Sequence, residues 1–159
     1  MSYAQLKLEQ QICFPVYAAS RLITRRYQPY LDKLGITYPQ YLVMMILWEE
    51  DHVPVNDIAK KLILNTNTIT PLLKRMEQLE LLLRKRSKED ERKVLVQLTE
   101  KGRQLQDQAS FIPEQLLNQL LGEELDLQDL LKLKNDLDSV IRILSDNPSR
   151  LKTNRNDTA

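Results

Sequence analysis

Apolar and polar residues along the 159-residue chain alternate mostly at helical spacing. From about Leu6 to Leu34 the apolar positions follow one helix face, and Gly35 is a suitable stop. Pro15 and Pro29 lie inside this stretch, which predicts kinks or a broken first helix. The segment TYPQYLVMMILWEE (37–50) is apolar on nearly every side and predicts a core helix that begins with a Thr-x-x-Gln capping box.

Two shorter helices follow, joined by a few polar residues. VPVNDIAKKLIL (53–64) carries Ile58, Ala59 and Leu62 on one side. NTNTITPLLKRMEQLELL (65–82) can be capped by Asn65 or Thr66. Its predicted buried stripe consists of Leu72, Leu73, Met76 and Leu79. Such a pair is typical of a helix-turn-helix, whose second helix lies in the major groove of DNA.

The spacing then changes from helical to that of short strands. LLLRKRS (81–87) and RKVLVQLT (92–99) flank the charged turn SKEDER, which predicts a β-hairpin with a basic tip. Directly after a helix-turn-helix, this hairpin is predicted to be the wing of a winged helix. Thr99 is predicted to cap the next helix, TEKGRQLQDQA.

The C-terminal third predicts two more helices, at roughly 114–121 and 126–145, with Pro113 as the separator from the helix before them. Their apolar residues are Leu116, Leu120, Leu127, Leu130, Leu131, Leu137, Ile141 and Leu144. These exceed what two terminal helices could bury against a small winged helix, so a second copy of the chain is expected to cover them. Packing on the first helix of the same chain is the alternative.

These elements define the predicted fold class: mainly α with a small β-hairpin wing. A winged helix-turn-helix DNA-binding domain at 37–103 is flanked by helical dimerisation regions at 1–36 and 104–147. The polar, basic tail 148–159 is predicted to be disordered. No apolar run reaches membrane-spanning length, and the N-terminal residues lack a signal core. The single cysteine excludes an internal disulfide, which fits a reducing cytoplasm.

The formal net charge of +1 conceals a segregation of charge. Residues 55–103 carry 12 Lys/Arg and 7 Asp/Glu, whereas residues 104–147 carry 3 and 9. A basic middle beside an acidic helical end favours a polyanionic partner for the middle alone. A solvated charged surface is the alternative.

Three segments of the chain carry a family resemblance: ICFPVYAASRLITRRYQPYLDKLGITYPQYLVMMILWEED, TITPLLKRMEQLEL and RKRSKEDERKVLVQLTEKG. Together they resemble the MarR family of winged-helix regulators over residues 6–145. The spacing of Cys13, Tyr27 and Tyr38 resembles its organic hydroperoxide sensor branch, OhrR. The lone cysteine is typical of one-cysteine members, which include the MgrA and SarZ regulators. Residues 65–67 are Asn-Thr-Asn where the branch usually has Asp-Ser-Gly, so the operator sequence may differ.

The candidate DNA contacts lie on the second helix and on the wing. Short donors and acceptors for base edges come from Thr66, Asn67, Thr68 and Thr70. Lys74 and Arg75 suit phosphates, and Arg75 also suits guanine. The wing contributes Arg86, Lys88, Arg92 and Lys93. The resemblance implies that Arg92 enters a minor groove and that Asp90 supports the wing. The alternatives are helix capping by the polar residues and a solvated turn at the hairpin.

Cys13 is the candidate redox residue. A lone cysteine among apolar neighbours is ordinarily an inert core residue, but the resemblance implies a peroxide sensor. Pro15 favours a helix start close to Cys13, where the helix dipole favours thiolate. The neighbours Ile12, Phe14 and Val16 offer an apolar approach that suits organic peroxides.

The resemblance also implies that tyrosine hydroxyls bond to the sensing sulfur. Tyr17 is one helical turn from Cys13. Tyr27 is fourteen residues further along, which is about 21 Å on a helix. Tyr27 and Tyr38 could therefore serve Cys13 only from the partner subunit. Ordinary packing of both rings is the alternative.

The function implied is a dimeric regulator, most simply a repressor, that binds an inverted-repeat operator in double-stranded DNA. Organic hydroperoxide would oxidise Cys13 to sulfenic acid, and a small cellular thiol or another protein's cysteine would condense with it. The adduct would rotate the DNA-binding modules and release the operator.

Other functions remained open at this stage. One is a MarR-type repressor released by a small aromatic or phenolic ligand, and another is a global regulator of the MgrA/SarZ type. An enzyme such as a thiol peroxidase is disfavoured, because the sequence offers no base cluster, metal site or cofactor site. The only histidine, His52, is expected in an exposed loop. An interaction scaffold is the remaining class, which salt-sensitive DNA binding would exclude.

Overall fold

The computed structural model describes residues 3–122 and 124–146, which form two units divided after Leu116. Two 3₁₀ turns, Ala4–Leu6 and Leu8–Gln10, precede the helices. The helices are α1 (Cys13–Leu34), α2 (Tyr38–Glu49), α3 (Val55–Lys61), α4 (Thr66–Gln78), α5 (Glu100–Ala109), α6 (Ile112–Leu120) and α7 (Leu127–Asp146). The strands are β1 (Val53–Pro54), β2 (Leu82–Arg86) and β3 (Val94–Leu98). No helix in the described ranges is long and apolar enough to cross a membrane.

The first helix differs from its prediction at both prolines. The chain before Cys13 forms 3₁₀ turns, and α1 then continues unbroken through Pro29 to Leu34. Pro15 lies in the first turn of α1, where no intrahelical N–H bond is lost. The interruption predicted at Pro29 was therefore wrong, and the predicted placement of Cys13 at a helix start is confirmed.

The core forms around α2, as its all-round apolar pattern predicts. Tyr41, Val43, Met44 and Leu47 of this helix are buried. They pack with apolar residues of α1, α3, α4, the sheet and α5 in one cluster. Part of the predicted capping box is present, because the Thr37 N–H donates to Gln40 Oε1 at 2.8 Å.

The predicted hairpin is β2–β3, paired antiparallel from Leu82 opposite Leu98 to Arg86 opposite Val94. A third strand, β1, pairs with the other edge of β3 and was not predicted. Two residues give no periodicity, so only the long-range pairing reveals β1. Thr99 caps α5 as predicted, with its hydroxyl accepting the Gly102 N–H at 3.0 Å.

The buried stripe of α4 is shifted from its prediction. Leu73 and Met76 are buried, and Ile69 takes the third buried position. Leu72 is only partly buried, and Leu79 is 40% exposed. The helix ends at Gln78, so Leu79 leaves the helical face on which the prediction had placed it.

The second unit contains the end of α6 and all of α7. Pro113 lies in the first turn of α6 and does not form a separator before it. Asp126 and Asp129 bond reciprocally at the start of α7, each backbone N–H donating to the other's carboxylate. None of the described residues of α7 is buried. The tail predicted to be disordered, from 148 onward, lies outside the described residues.

Candidate functional site

The first turn of α4 presents polar side chains to solvent. Asn65 is the N-cap, because its Oδ1 accepts the Thr68 N–H at 3.0 Å, and the Thr68 hydroxyl donates to the same oxygen. Thr66 and Asn67 are exposed and Thr70 is half-buried. The capping role left open between Asn65 and Thr66 thus falls to Asn65.

The tip of the wing is a tight, internally bonded turn. The Arg92 N–H donates to Asp90 Oδ1 at 3.1 Å, and the Lys93 N–H donates to the Asp90 carbonyl at 2.9 Å. The Ser87 hydroxyl accepts the Asp90 N–H at 3.3 Å. Asp90 thus organises the backbone that carries Arg92 and Lys93, which is what the predicted support role requires.

The basic side chains form an exposed set on α4 and the wing. Those on α4 are Lys74 and Arg75, and those on the wing are Arg86, Lys88, Arg92 and Lys93. An anionic surface against these two elements would meet positive charge on both, as a DNA groove and its flanking phosphates require.

An ion pair joins α4 to the wing. Glu77 accepts three bonds from Arg84: from the backbone N–H at 3.0 Å, from Nε at 3.0 Å and from Nη2 at 2.6 Å. The side-chain bond from Arg84 is the largest of the effects that hold the pKa of Glu77 below its usual value. The two residues lie on different elements, so no helical or strand spacing could have predicted this pair.

A second network braces the outer side of the sheet. Asp51 accepts the Leu98 N–H at 2.8 Å and bonds to Arg103 Nη1 at 2.6 Å. Arg103 also donates to the Leu98 carbonyl at 3.2 Å. Burial opposes ionisation of Asp51, yet the bonds from Leu98, Arg103 and His52 together lower its pKa. The exposed His52 lies in a loop as predicted, with Nδ1 3.7 Å from Asp51 Oδ2.

A cleft of about 180 Å³ opens between α4, the wing and the start of α3. Its lining includes Arg84, Arg92 and Lys93. Its size is below the range of about 300–1,000 Å³ typical of small-molecule sites. A more open depression on α1 is lined by the polar and charged residues Ser20, Arg21, Thr24, Arg25 and Gln28. Neither is the apolar pocket that a phenolic ligand would need.

Cys13 is exposed at the first residue of α1. A buried, inert thiol is therefore not what the chain contains. Tyr17 follows one turn later, and the Arg21 guanidinium lies over its ring, 5.6 Å from the ring centroid. The three side chains share one face of α1, since they are spaced four residues apart.

Tyr27 and Tyr38 lie together, but not at Cys13. Their ring centroids are 4.9 Å apart, and Tyr41 is 5.7 Å from Tyr27. Burial first, and then the charges of Tyr38 and Tyr41, raise the pKa of Tyr27 to about 12. The unbroken α1 holds Tyr27 about 21 Å along the helix from Cys13. Within one chain these tyrosines do not reach the thiol.

Exposed apolar side chains occur at both ends of the described chain. Around Cys13 they are Leu6, Leu8, Ile12, Phe14, Val16, Leu22 and Ile23. On α7 they are Leu127, Leu131, Leu133, Val140, Ile141, Ile143 and Leu144. Apolar surface on this scale marks an interaction site. In the described residues, no group of three or more His, Cys, Asp or Glu is placed to hold a metal ion.

Comparison with known proteins agrees with this architecture. A family of transcriptional regulators, SarA/Rot, matches residues 25–109. The organic hydroperoxide resistance transcriptional regulator of Bacillus subtilis (strain 168) is 46% identical over 144 residues, covering 89% of this chain and 95% of that protein. The HTH-type transcriptional regulator MgrA of Staphylococcus aureus is 38% identical over 144 residues, covering 82% and 98%.

Solved structures of AbfR, a protein of Staphylococcus epidermidis, are also similar. The reduced AbfR bound to DNA gives a TM-score of 0.72 at 36% identity, covering 91% of this chain and 99% of that one. The disulfide form of AbfR gives 0.59 at 38% identity, covering 86% and 94%. The chain therefore belongs to the MarR family of winged-helix transcriptional regulators, in the branch of the one-cysteine organic hydroperoxide regulators.

Proposed function

We propose that this protein is a redox-sensing repressor that binds an inverted-repeat operator as a homodimer and releases it when Cys13 is oxidised by an organic hydroperoxide. The observation that carries the proposal is the position of Cys13: the chain's only thiol lies exposed at the start of α1, away from the core. The close relative in B. subtilis is named for organic hydroperoxide resistance, which supports this class of oxidant.

The DNA-binding part consists of α4 and the wing. Thr66, Asn67, Thr68 and Thr70 are proposed to read base edges, with Lys74 and Arg75 on phosphates or guanine. Arg86, Lys88, Arg92 and Lys93 are proposed wing contacts, supported by Asp90. Reduced AbfR has been solved bound to DNA, which supports this role for the corresponding elements here.

The dimer completes the sensor. The apolar residues around Cys13 and along α7 are proposed to be covered by a second copy, which gives the segments 1–36 and 104–147 their dimerisation role. Tyr27 and Tyr38 would then reach Cys13 from the partner subunit, and Tyr17 from the same chain. Because the DNA-binding segment 37–103 lies between these regions, a change at the thiol can alter the spacing of the two modules.

The chemistry needs no cofactor. The Cys13 thiolate attacks the terminal peroxide oxygen, the O–O bond breaks, and the organic fragment leaves as an alkoxide that takes a proton to become the alcohol. The sulfenic acid then condenses with a small cellular thiol, forming an S–S bond and releasing water. A disulfide needs this outside thiol because the chain holds one cysteine. The protein is consumed once per event, so we propose a sensor and not an enzyme, acting in the cytoplasm where its DNA is.

The mixed disulfide is the proposed releasing species. Overoxidized AbfR has been solved bound to DNA. This chain is also less similar to the disulfide form of AbfR than to reduced, DNA-bound AbfR. We therefore expect sulfinic acid at Cys13 to leave the operator bound, and a bulky thiol adduct to release it.

The test uses a DNA duplex selected with the reduced protein from a random library. Fluorescence anisotropy follows release after cumene hydroperoxide plus free cysteine, with mass spectrometry on Cys13. Release and a cysteine adduct are expected for the wild type, and continued binding for Cys13→Ser. The exposed Met45 is the other oxidisable side chain near the core, so Met45→Leu is the matched control and should still release. Release by Cys13→Ser would refute the proposal and favour a ligand-type mechanism.

A further inference from the structure

Three helices of the chain end in the same hydrogen-bonded motif. At the end of α3, the Leu64 N–H donates to the Ala59 carbonyl at 2.9 Å and the Ile63 N–H to the Lys60 carbonyl at 3.2 Å. The ends of α1 and α4 repeat these two bonds around Gly35 and Glu80. This is the Schellman motif, which requires a left-handed backbone at its central residue.

The residue at the centre of the motif differs in each case. Gly35 has φ 69° and is the usual choice, because it lacks the Cβ that makes this conformation unfavourable. Ile63 has φ 55°. A β-branched residue is an outlier there, since its two γ-carbons crowd the backbone. The chain therefore sacrifices stability at position 63 that a glycine would recover.

Packing does not explain the isoleucine. Ile63 is 66% exposed, whereas Leu62 and Leu64 on either side of it pack against the core. The left-handed turn thus directs the apolar side chain of Ile63 outward while its neighbours point inward. A strained residue with no packing reason indicates a functional one.

The position of Ile63 indicates what that function is. It lies two residues before Asn65, the N-cap of α4, and so at most about 7 Å from it. The exposed Thr66 and Asn67 follow directly. A DNA groove that accepts the first turn of α4 would border the turn that carries Ile63. Resting on the proposed function, we infer that Ile63 contacts a thymine methyl group in each operator half-site and so helps to determine sequence specificity.

The C5 methyl of thymine is the apolar group that the major groove offers, so it is the chemical match for an exposed aliphatic side chain. Such a contact distinguishes thymine from cytosine but neutralises no phosphate. Its loss should therefore weaken operator binding without changing the dependence of affinity on salt.

The experiment combines Ile63→Gly with thymine-to-deoxyuridine substitutions through the selected operator, which remove one methyl at a time. At one thymine per half-site, deoxyuridine should weaken wild-type binding about fourfold for each methyl contact and leave Ile63→Gly unaffected. Ile63→Gly itself should bind the unmodified operator roughly tenfold more weakly, because the dimer makes the contact twice. Ile63→Leu, which keeps an aliphatic side chain, should retain most of the affinity.

A stability measurement and a second glycine variant control for strain. Ile63→Gly should raise Tm by about 2 °C at fixed protein concentration, since it removes the unfavourable conformation. Glu80→Gly relieves the same conformation at the other end of α4 and removes a negative charge, so it should not weaken operator binding. Equal affinity of wild type and Ile63→Gly, or deoxyuridine sensitivity that persists in Ile63→Gly, would overturn the inference. Those results would leave the proposed function standing, whereas failure of the wild type to bind DNA would overturn both.

Discussion

The pair Glu77–Arg84 fixes the recognition helix α4 to the wing, so its removal should affect both stability and operator specificity. Glu77→Ala deletes the acceptor of three hydrogen bonds, two from the Arg84 guanidinium and one from its backbone N–H. Wild-type Arg84 would keep its charge but lose the partner that holds it against α4.

The size of the effect follows from the exposure of the pair. The side chains of Arg84 and Glu77 are 23% and 34% exposed, so the pair is neither fully solvated nor buried. Exposed ion pairs contribute about 0.2–1 kcal/mol, and hydrogen bonds to charged groups about 1.5–3 kcal/mol where water is excluded. We expect Glu77→Ala to lower the free energy of unfolding by about 1–2 kcal/mol.

Urea denaturation at fixed protein concentration and pH 7 measures this loss. Asp138→Ala is the matched control: it also removes one carboxylate at 2.6 Å from a cation, Lys134, but on the exposed surface of α7. That control should cost no more than about 0.5 kcal/mol. Equal losses in the two variants would refute the structural role assigned to Glu77.

The pH dependence gives an independent check. The pKa of Glu77 is lowered in the folded protein, so its ionised form stabilises the fold above the unfolded pKa of about 4.3. That contribution is lost as the pH falls through the folded-state pKa. The difference between wild type and Glu77→Ala should therefore shrink progressively below about pH 4.

Operator binding reports on the angle between α4 and the wing. We expect Glu77→Ala to reduce the ratio of specific to non-specific affinity, because the two elements must enter neighbouring grooves together. Non-specific binding should become stronger, since the released Arg84 adds a phosphate contact. An unchanged ratio would mean that the pair stabilises the fold without positioning the DNA-reading elements.

Three further predictions concern separate parts of the chain. Arg92→Ala should weaken operator binding by at least ~1 kcal/mol at fixed salt, and an unchanged mobility-shift titration would refute the wing contact. Gly102→Ala should lower the free energy of unfolding by about 1–3 kcal/mol in urea titrations, because a Cβ there would collide with the Leu81 carbonyl. Stability should fall as the pH rises from about 10 to about 12, through the raised pKa of Tyr27, and Tyr27→Phe should lose the highest step in a phenolate absorbance titration.

The proposed selectivity for organic peroxides has a direct kinetic test. Stopped-flow oxidation of Cys13 by cumene hydroperoxide should be faster than by hydrogen peroxide, because Ile12, Phe14 and Val16 surround the thiol with apolar surface. Equal rate constants would contradict the role given to these side chains. Phe14→Ala should narrow the difference if the apolar approach is what selects the oxidant.

Local pattern determined much of this protein. The order of helices and hairpin, the caps at Thr37 and Thr99, and the basic set on α4 and the wing all follow from spacing and residue type, because these depend on neighbours in sequence. Prolines were the weakest local signal: α1 continues through Pro29, since its packing against α2 and α5 outweighs one missing hydrogen bond.

Only the tertiary structure decided which distant residues meet. The strand β1, the Glu77–Arg84 pair and the bonds of Asp51 to Leu98 and Arg103 join residues that no periodicity relates. The apolar neighbours of Cys13 made it resemble a core residue in sequence, yet the fold leaves it exposed, because hydrophobic pattern reports that a surface is to be covered and not by which chain. For the same reason Tyr27 and Tyr38 contact each other in one chain, and only a second copy could bring them to the thiol.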